Sequence, residues 1–376
     1  MILQLNKTNR TLLYALPLLA VSLSPSGAAS DGIPPLRSPY TQQMPVAGQQ
    51  VFACPTTPAP VMRLATNSIY SAADPNRAEI DPSAQQRYQA EIAPVRSFAK
   101  QLVKLANDYR QHGSPAIGHC ALSWLDNWAA ADALSQMNSL QANLGRGPLL
   151  STLALSYMQL DELSGDHTAA RVRIEAWLAR LATDSINFME SRPNAPSSSA
   201  NHRYWNGLGV AAAGVAANRR DLFDWGVDSY RLGVAQIDAD GVLPLELKRG
   251  KRARDYHFYA VAPLVMLAEL GAANDLDALL RPERRVASAG TTGGGIVAGC
   301  HLLRDPHRRC ASRFPSDEPP PNRLAWLEPY LARFPNSAWE QQISPWRPLA
   351  ATKLGGNLTL LFGSAEITAH AQEASR

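Results

Sequence analysis

From residue 83 onward, apolar side chains return at three- and four-residue steps. Val95, Phe98, Leu102 and Leu105 mark one stripe over 83–110, the pattern of an amphipathic helix. The same pattern continues through CALSWLDNWAAADALSQM, LLSTLALSYMQL, HTAARVRIEAWLARLATDSINFM and YWNGLGVAAAGVAA. It resumes in DLFDWGVDSYRLGVAQI, YHFYAVAPLVMLAEL and RLAWLEPYLARF, and ends in a closing segment. No alternating strand of any length interrupts the series. Roughly ten helices joined by short loops predict antiparallel hairpins arranged as a bundle, a solenoid or a closed toroid. Gly207, Gly209, Ala211, Ala212, Ala213 and Gly214 crowd one helix with small residues, which predicts close helix–helix approach.

The first 80 residues read differently. Lys7 and Arg10 precede the apolar stretch TLLYALPLLAVSL, and the small residues of SGAAS follow. That is the form of an export leader over 1–29, with cleavage near Ala28 to Ser30. The expected product is periplasmic or secreted, and no later segment reads as a membrane span. Residues 30–80 are rich in Pro, Ser and Gln and predict an extended arm carrying a loop near Tyr70. Residues 81–376 form the helical domain. Cys54, Cys120, Cys300 and Cys310 suit an oxidising compartment. They pair most simply as Cys54–Cys120 and Cys300–Cys310, because the second two are so close in sequence; the other connectivities stay open. No CxxC spacing is present, and His119 beside Cys120 is too little for a zinc site.

The formal net charge is +4, and losing Lys7 and Arg10 with the leader brings it to +2. So mild a balance disfavours a nucleic-acid partner. Any polyanion site must come from local clustering. One such cluster exists. In LPLELKRGKRARDYHFYA, residues 243–260, Lys248, Arg249, Lys251, Arg252 and Arg254 stand just before Tyr256 and a strongly apolar run. Gly250 is expected to interrupt the chain there, leaving Arg249 on a loop and Tyr256 near the start of the next helix. Taken alone, the cluster reads as a solvated charge run or as a subsite for a polyanion. Neighbouring cations should ease ionisation of Tyr256, which would suit a general base or acid. Glu246 and Asp255 read as salt-bridge partners of these cations. A second stretch, ANHRYWNGLG, opens a helix after the loop 191–200, with Asn201 or a preceding serine as its cap. His202 then falls in the first turn, where the positive helix end keeps an imidazole neutral. Taken singly, His202, Tyr204 and Trp205 read as hydrogen-bonded or core-lining residues.

Together these stretches resemble the alginate lyases of polysaccharide lyase family 5. CALSWLDNWAAADAL, LSYMQL and the terminal GGNLTLLF are similar to the same family, so the likeness runs from about residue 60 to about residue 362. The resemblance implies an all-α, incomplete α/α toroid with an extended N-terminal arm and lid loop, and a deep cation-lined groove. It also implies β-elimination on a polyuronate by a monomer, with no metal, no cofactor and no membrane partner. Asn201, His202, Arg249 and Tyr256 match the family's chemical residues. The first three would neutralise the carboxylate beside C5, and Tyr256 would move the proton. Tyr70, Arg203, Trp205, Lys248, Arg252 and Tyr259 are the expected substrate-binding residues.

Two departures bear on the choice of polymer. Ala200 stands where the family has a further asparagine, and the loop reads Ser68-Ile69-Tyr70 where alginate-specific relatives have a lysine in the middle. The expected substrate is polymannuronate, with polyglucuronate or a related glycan as the alternative. A toroid glycoside hydrolase would need two carboxylates flanking the bond; Asp126, Asp132, Glu246 and Asp255 are available for that reading. A non-catalytic polymer-binding protein would need neither His202 nor Tyr256.

Overall fold

Asp81 starts the first long helix. Its carboxylate accepts the backbone N–H groups of Ser83 (2.8 Å) and Ala84 (3.0 Å), and Pro82 sits where its missing N–H costs nothing. Helix α1 then runs Pro82–His112 and stops at Gly113, whose φ of 64° ends the helical path. The structure is a computed structural model that describes residues 34–41, 45, 52–75, 77–238, 242–249, 252–276, 321–364 and 367. The expected leader, the glycine-rich loop 288–299, Gly250, Lys251 and the Cys300–Cys310 pair lie outside the described residues.

Seven further helices build the ring: α2 (Pro115–Ala130), α3 (Leu140–Met158), α4 (Thr168–Glu190), α5 (Asn201–Ala216), α6 (Arg220–Ala235), the short α7 (Pro244–Leu247) and α8 (Ala253–Ala273). Helices α1, α3, α5 and α8 lie side by side as an inner layer, and α2, α4 and α6 pack outside them. This is the α/α toroid expected from the sequence. The layer a helix occupies follows from its residues. Helix α6 buries Leu222, Phe223, Val227 and Tyr230 and exposes Asp224, Asp228 and Arg231, a one-sided pattern for an outer position. Helix α5 is buried on almost every side, and its small residues allow that. A Cβ added to Gly209 would stand 2.5 Å from the Gly147 carbonyl oxygen of α3, and one on Gly226 of α6 would stand 2.6 Å from the Gly207 oxygen of α5. The close approach predicted for this stretch is therefore real.

Helix α8 corrects one expectation. It is long and apolar enough to cross a bilayer, although the sequence reading found no such segment after the leader; 78% of its apolar window is buried inside the protein. It packs on α5 and α6. The run 120–137 also ends sooner than its periodicity implies. Asp132 and Leu134 take φ of 49° and 61°, and the chain leaves the helix to pair Gln136–Met137 with Arg63–Leu64 in a parallel two-residue bridge.

The N-terminal segment lies on α1 and α2. Phe98 and Trp128 stack with centroids 3.6 Å apart, while Trp124 and Trp128 donate to the carbonyls of Pro55 (3.1 Å) and Pro58 (2.9 Å). A Cys54–Cys120 disulfide, with Cα atoms 5.5 Å apart, fixes the same segment covalently. At the other end of the chain, Gly355 and Gly356 make a tight turn between Ala350–Ala351 and Gly356–Asn357. Asn107 (3.0 Å) and Gln159 (2.8 Å) both donate to the Gly355 carbonyl, which holds the neighbouring Lys353 against the ring.

Candidate active site

The inner helices enclose a cavity of about 470 Å³. Arg96 and Lys100 reach it from α1, His202 and Trp205 from α5, and Tyr259 from α8; Arg323 and Lys353 come from the C-terminal part. No carboxylate is among the described residues that line it. Trp205 and Tyr259 stand with ring centroids 4.9 Å apart, and Trp205 Nε1 donates to the Tyr259 carbonyl at 2.8 Å. Lys353 Nζ lies 4.6 Å from the Tyr259 ring centroid and donates to its hydroxyl at 3.2 Å. The side chain of Lys353 is open to solvent, yet enclosure by the protein pushes its amine down to about 8. At neutral pH it is still mostly a cation.

Ala200, not Asn201 or a serine side chain, occupies the cap position of α5. The capping group comes from elsewhere. Glu246 on α7 is 1% exposed, and its Oε1 accepts the Asn201 backbone N–H at 3.0 Å. The same carboxylate takes both contacts from Asn201 Nδ2, at 3.0 Å to each oxygen. A negative charge at a helix N-terminus is favourable. Glu246 is thus a buried structural acid and not the surface salt-bridge partner read from the sequence. Burial raises its pKa, while the Asn201 bonds and the nearby Arg249 charge act against the rise.

Next along α5, His202 is pushed down to about 4, first by burial and then by Arg249, Arg77 and Lys353. The imidazole is neutral at pH 7, as expected, and burial is the largest cause. Arg249 lies between α7 and α8, and Tyr256 falls in the first turn of α8. The Arg249 guanidinium sits 3.7 Å from the Tyr256 ring centroid and 5.5 Å from that of Tyr70. The two tyrosine hydroxyls are 2.5 Å apart.

Tyr70 comes from a loop that doubles back between Ile69 and Asp81. Tyr70 pairs with Ile80, and Asp74 Oδ2 accepts Ala78 N–H (2.5 Å) and Glu79 N–H (2.8 Å). The Arg77 carbonyl at its far side accepts from Arg249 Nη2 at 2.8 Å. The loop therefore closes over the arginine–tyrosine pair. One consequence reverses the sequence reading: Tyr256 is harder to ionise than a free phenol. Burial and the hydrogen bond with Tyr70 raise it, and Arg249 and Arg252 offset only part of that.

Other expected contacts are distributed unevenly. Trp205 and Tyr259 line the cavity, and Arg252 lies 5.8 Å over the Tyr70 ring while pairing with Asp255 at 3.7 Å. Lys248 caps the end of α7 and is exposed, outside the cavity lining. Arg203 points the other way, which corrects its reading as a substrate-binding residue. It pairs with Glu190 (2.9 Å), donates to Ser229 (2.8 Å) and stacks 3.8 Å from the Trp225 ring centroid. Next to His202 on a helix, it emerges on the face toward α6. Sequence reading missed Arg96, Lys100, Arg323 and Lys353. Only Lys353 carried a signal, standing two residues before GGNLTLLF.

A ring of helix hairpins around a cation-lined groove, with a neutral histidine at its wall and an arginine-stacked tyrosine whose arginine acts on that histidine, defines a polyuronate lyase of the α/α-toroid class. Comparison with known proteins agrees. The family described as alginate lyase matches residues 65–289. An alginate lyase of Pseudomonas fluorescens is 32% identical over 96% of this chain and 99% of its own length. One from Cobetia marina is 31% identical over 91% and 93% of the two chains. Among solved structures, alginate lyase A1-III from Sphingomonas species A1 superposes with a TM-score of 0.68 at 25% identity, covering 83% of this chain and 88% of its own. A tetrasaccharide complex of alginate lyase A1-III gives a TM-score of 0.67 at 26% identity, over 83% and 87% of the two chains. The chain belongs to the alginate lyase family.

Proposed function

We propose that the enzyme cleaves the mannuronate blocks of alginate by syn β-elimination, with Asn201, His202, Arg249 and Tyr256 as its chemical residues. The observation that carries this reading is the grouping of Tyr256 under the Arg249 guanidinium, closed by the Tyr70 hydroxyl at 2.5 Å. Arg249 offers a fixed cation to the uronate carboxyl, with neutral His202 near enough to feel its charge. Lowering the negative charge at that carboxyl makes the C5 proton removable and stabilises the enolate-like charge that develops. Tyr256 then moves a proton from C5 to O4 as the C4–O4 bond breaks and C4=C5 forms. The substrate takes the place of Tyr70 beside the Tyr256 oxygen, which removes one of the two causes that hold the phenol protonated.

Mannuronate and glucuronate share their arrangement at C4 and C5, so one tyrosine reaches both the C5 proton and O4 from the same side. Guluronate, the C5 epimer of mannuronate, presents its proton on the other side. Ile69 in place of a loop cation supports a preference that extends to polyglucuronate. The leader-like N-terminus supports export to the periplasm or beyond. Purified polymannuronate, polyglucuronate and polyguluronate, followed by the near-ultraviolet absorbance of the unsaturated uronate end, test the reading. Fastest cleavage of polyguluronate would overturn it, and no absorbance from any of the three would remove the lyase reading altogether.

A further inference from the structure

We infer that His257 is a positioning residue for the elimination: by holding the start of α7 against α8, it sets the Arg249 guanidinium over the Tyr256 ring. This rests on the proposed reading, in which Arg249 meets the uronate carboxyl and Tyr256 moves the proton. His257 follows Tyr256 on α8 and is 3% exposed. Its Nε2 lies 3.2 Å from the backbone nitrogen of Leu243, and its Nδ1 lies 2.7 Å from the Ala253 carbonyl oxygen. A backbone N–H can only donate, so Nε2 is the bare nitrogen and Nδ1 carries the hydrogen that Ala253 accepts. Only the neutral imidazole makes both bonds. Burial, the largest influence on this group, lowers its pKa and so favours that form.

Leu243 is where α7 begins. Its carbonyl accepts the Glu246 N–H at 3.0 Å, and the Glu246 carbonyl accepts the Arg249 N–H at 3.2 Å. A helix of four residues has no stability of its own, so its place is set by the groups that hold it. Glu246 ties its middle to α5, and His257 ties its start to α8, the helix that carries Tyr256. At the far end Arg249 donates to the Arg77 carbonyl and lies 3.7 Å from the Tyr256 ring centroid. These contacts close a circuit. It runs from Tyr256 to His257 along the chain, across to Leu243, through α7 to Arg249, and back onto the tyrosine ring. Cutting the link at Leu243 leaves a buried N–H without its acceptor and frees the guanidinium to shift along the tyrosine face. A misplacement of about 1 Å at a reacting group costs on the order of 10²-fold in rate.

Two amides separate the two ring bonds. In His257→Asn the amide nitrogen takes the place of Nδ1 and keeps the Ala253 bond, while Leu243 loses its acceptor. In His257→Gln the amide oxygen takes the place of Nε2 and keeps the Leu243 bond. On polymannuronate, kcat/KM should fall about tenfold or more in His257→Asn and stay within about threefold of wild type in His257→Gln. Equal losses, or a larger loss in His257→Gln, overturn the inference, since each variant gives up one bond and a merely structural role would slow both alike. A double-mutant cycle adds a second readout, with binding of a mannuronate oligomer followed by tryptophan fluorescence. Any affinity that His257→Asn loses should vanish in an Arg249→Ala background, and a loss that persists there overturns the inference. Failure of wild type to release unsaturated uronate from any polyuronate would instead remove the underlying reading. Should His257→Asn not fold, the ring-nitrogen chemical shifts of wild-type His257 give a further measurement by NMR. A hydrogen on Nδ1 is expected, and one on Nε2 overturns the inference, because Leu243 would then have no acceptor there.

Discussion

Replacing Tyr256 by phenylalanine removes a single oxygen, and the structure separates its consequences. The hydroxyl lies 2.5 Å from that of Tyr70. Losing this bond costs on the order of 1 kcal/mol of stability. The ring itself carries the Arg249 guanidinium at 3.7 Å, and phenylalanine presents the same face. Arg249 therefore stays in place to meet the carboxyl, and polymer affinity should change by less than about threefold. Turnover should not survive. Positioned acid–base groups contribute about 10²–10⁴ in rate, and one tyrosine performing both transfers points to the upper end, about 5 kcal/mol of barrier. Initial rates from the unsaturated-uronate absorbance give kcat, and tryptophan fluorescence reports binding through Trp205 in the groove. A variant within about tenfold of wild-type turnover would refute the assignment of Tyr256. Loss of binding alongside turnover would show that the hydroxyl holds the site together and performs no chemistry.

Three further outcomes follow from the same geometry. The acid limb of kcat/KM should lie near pH 4, where His202 titrates, with activity falling as pH drops through that value; a limb near 6.5 would show that burial and the surrounding cations do not hold the imidazole neutral. Gly209→Ala should destabilise by about 1–3 kcal/mol in thermal or urea unfolding, because the new Cβ meets the Gly147 carbonyl at 2.5 Å and two inner helices must part. Cys54→Ser should cost up to about 4 kcal/mol, the loop-closure value for a separation of 66 residues, and a melting point equal to wild type would show that the disulfide adds nothing.

The helical periodicity was legible because it is a local property. Each helix announces its buried face through residues three and four apart, and α6 does so with Leu222, Phe223, Val227 and Tyr230. The small-residue run in α5 was equally readable, since glycine in a helix has few uses other than close approach. The Cys54–Cys120 bridge was the simplest pairing in sequence, with the other connectivities open, and it is the one the structure contains. The helix-start histidine and the arginine–tyrosine pair were visible as motifs, and the structure has His202 on α5, Arg249 between α7 and α8 and Tyr256 in the first turn of α8.

What the sequence left undecided depends on contacts between segments far apart in the chain. Arg203 and His202 are neighbours, yet one faces α6 and the other the cavity, because consecutive residues on a helix point about 100° apart. Glu246 stands among cations in the chain but meets the α5 terminus in space, which turns a surface acid into a buried one. Arg96, Lys100, Arg323 and Lys353 line one groove although more than 200 residues separate the first two from the last two. The ionisation of Tyr256 turned on the same kind of fact. Its neighbours in sequence are cations that favour phenolate, while in the fold burial and the Tyr70 hydroxyl favour phenol by more than Arg249 and Arg252 oppose it. Desolvation is set by everything within a few ångströms, and only the folded toroid with its loop drawn over Arg249 determines what that is.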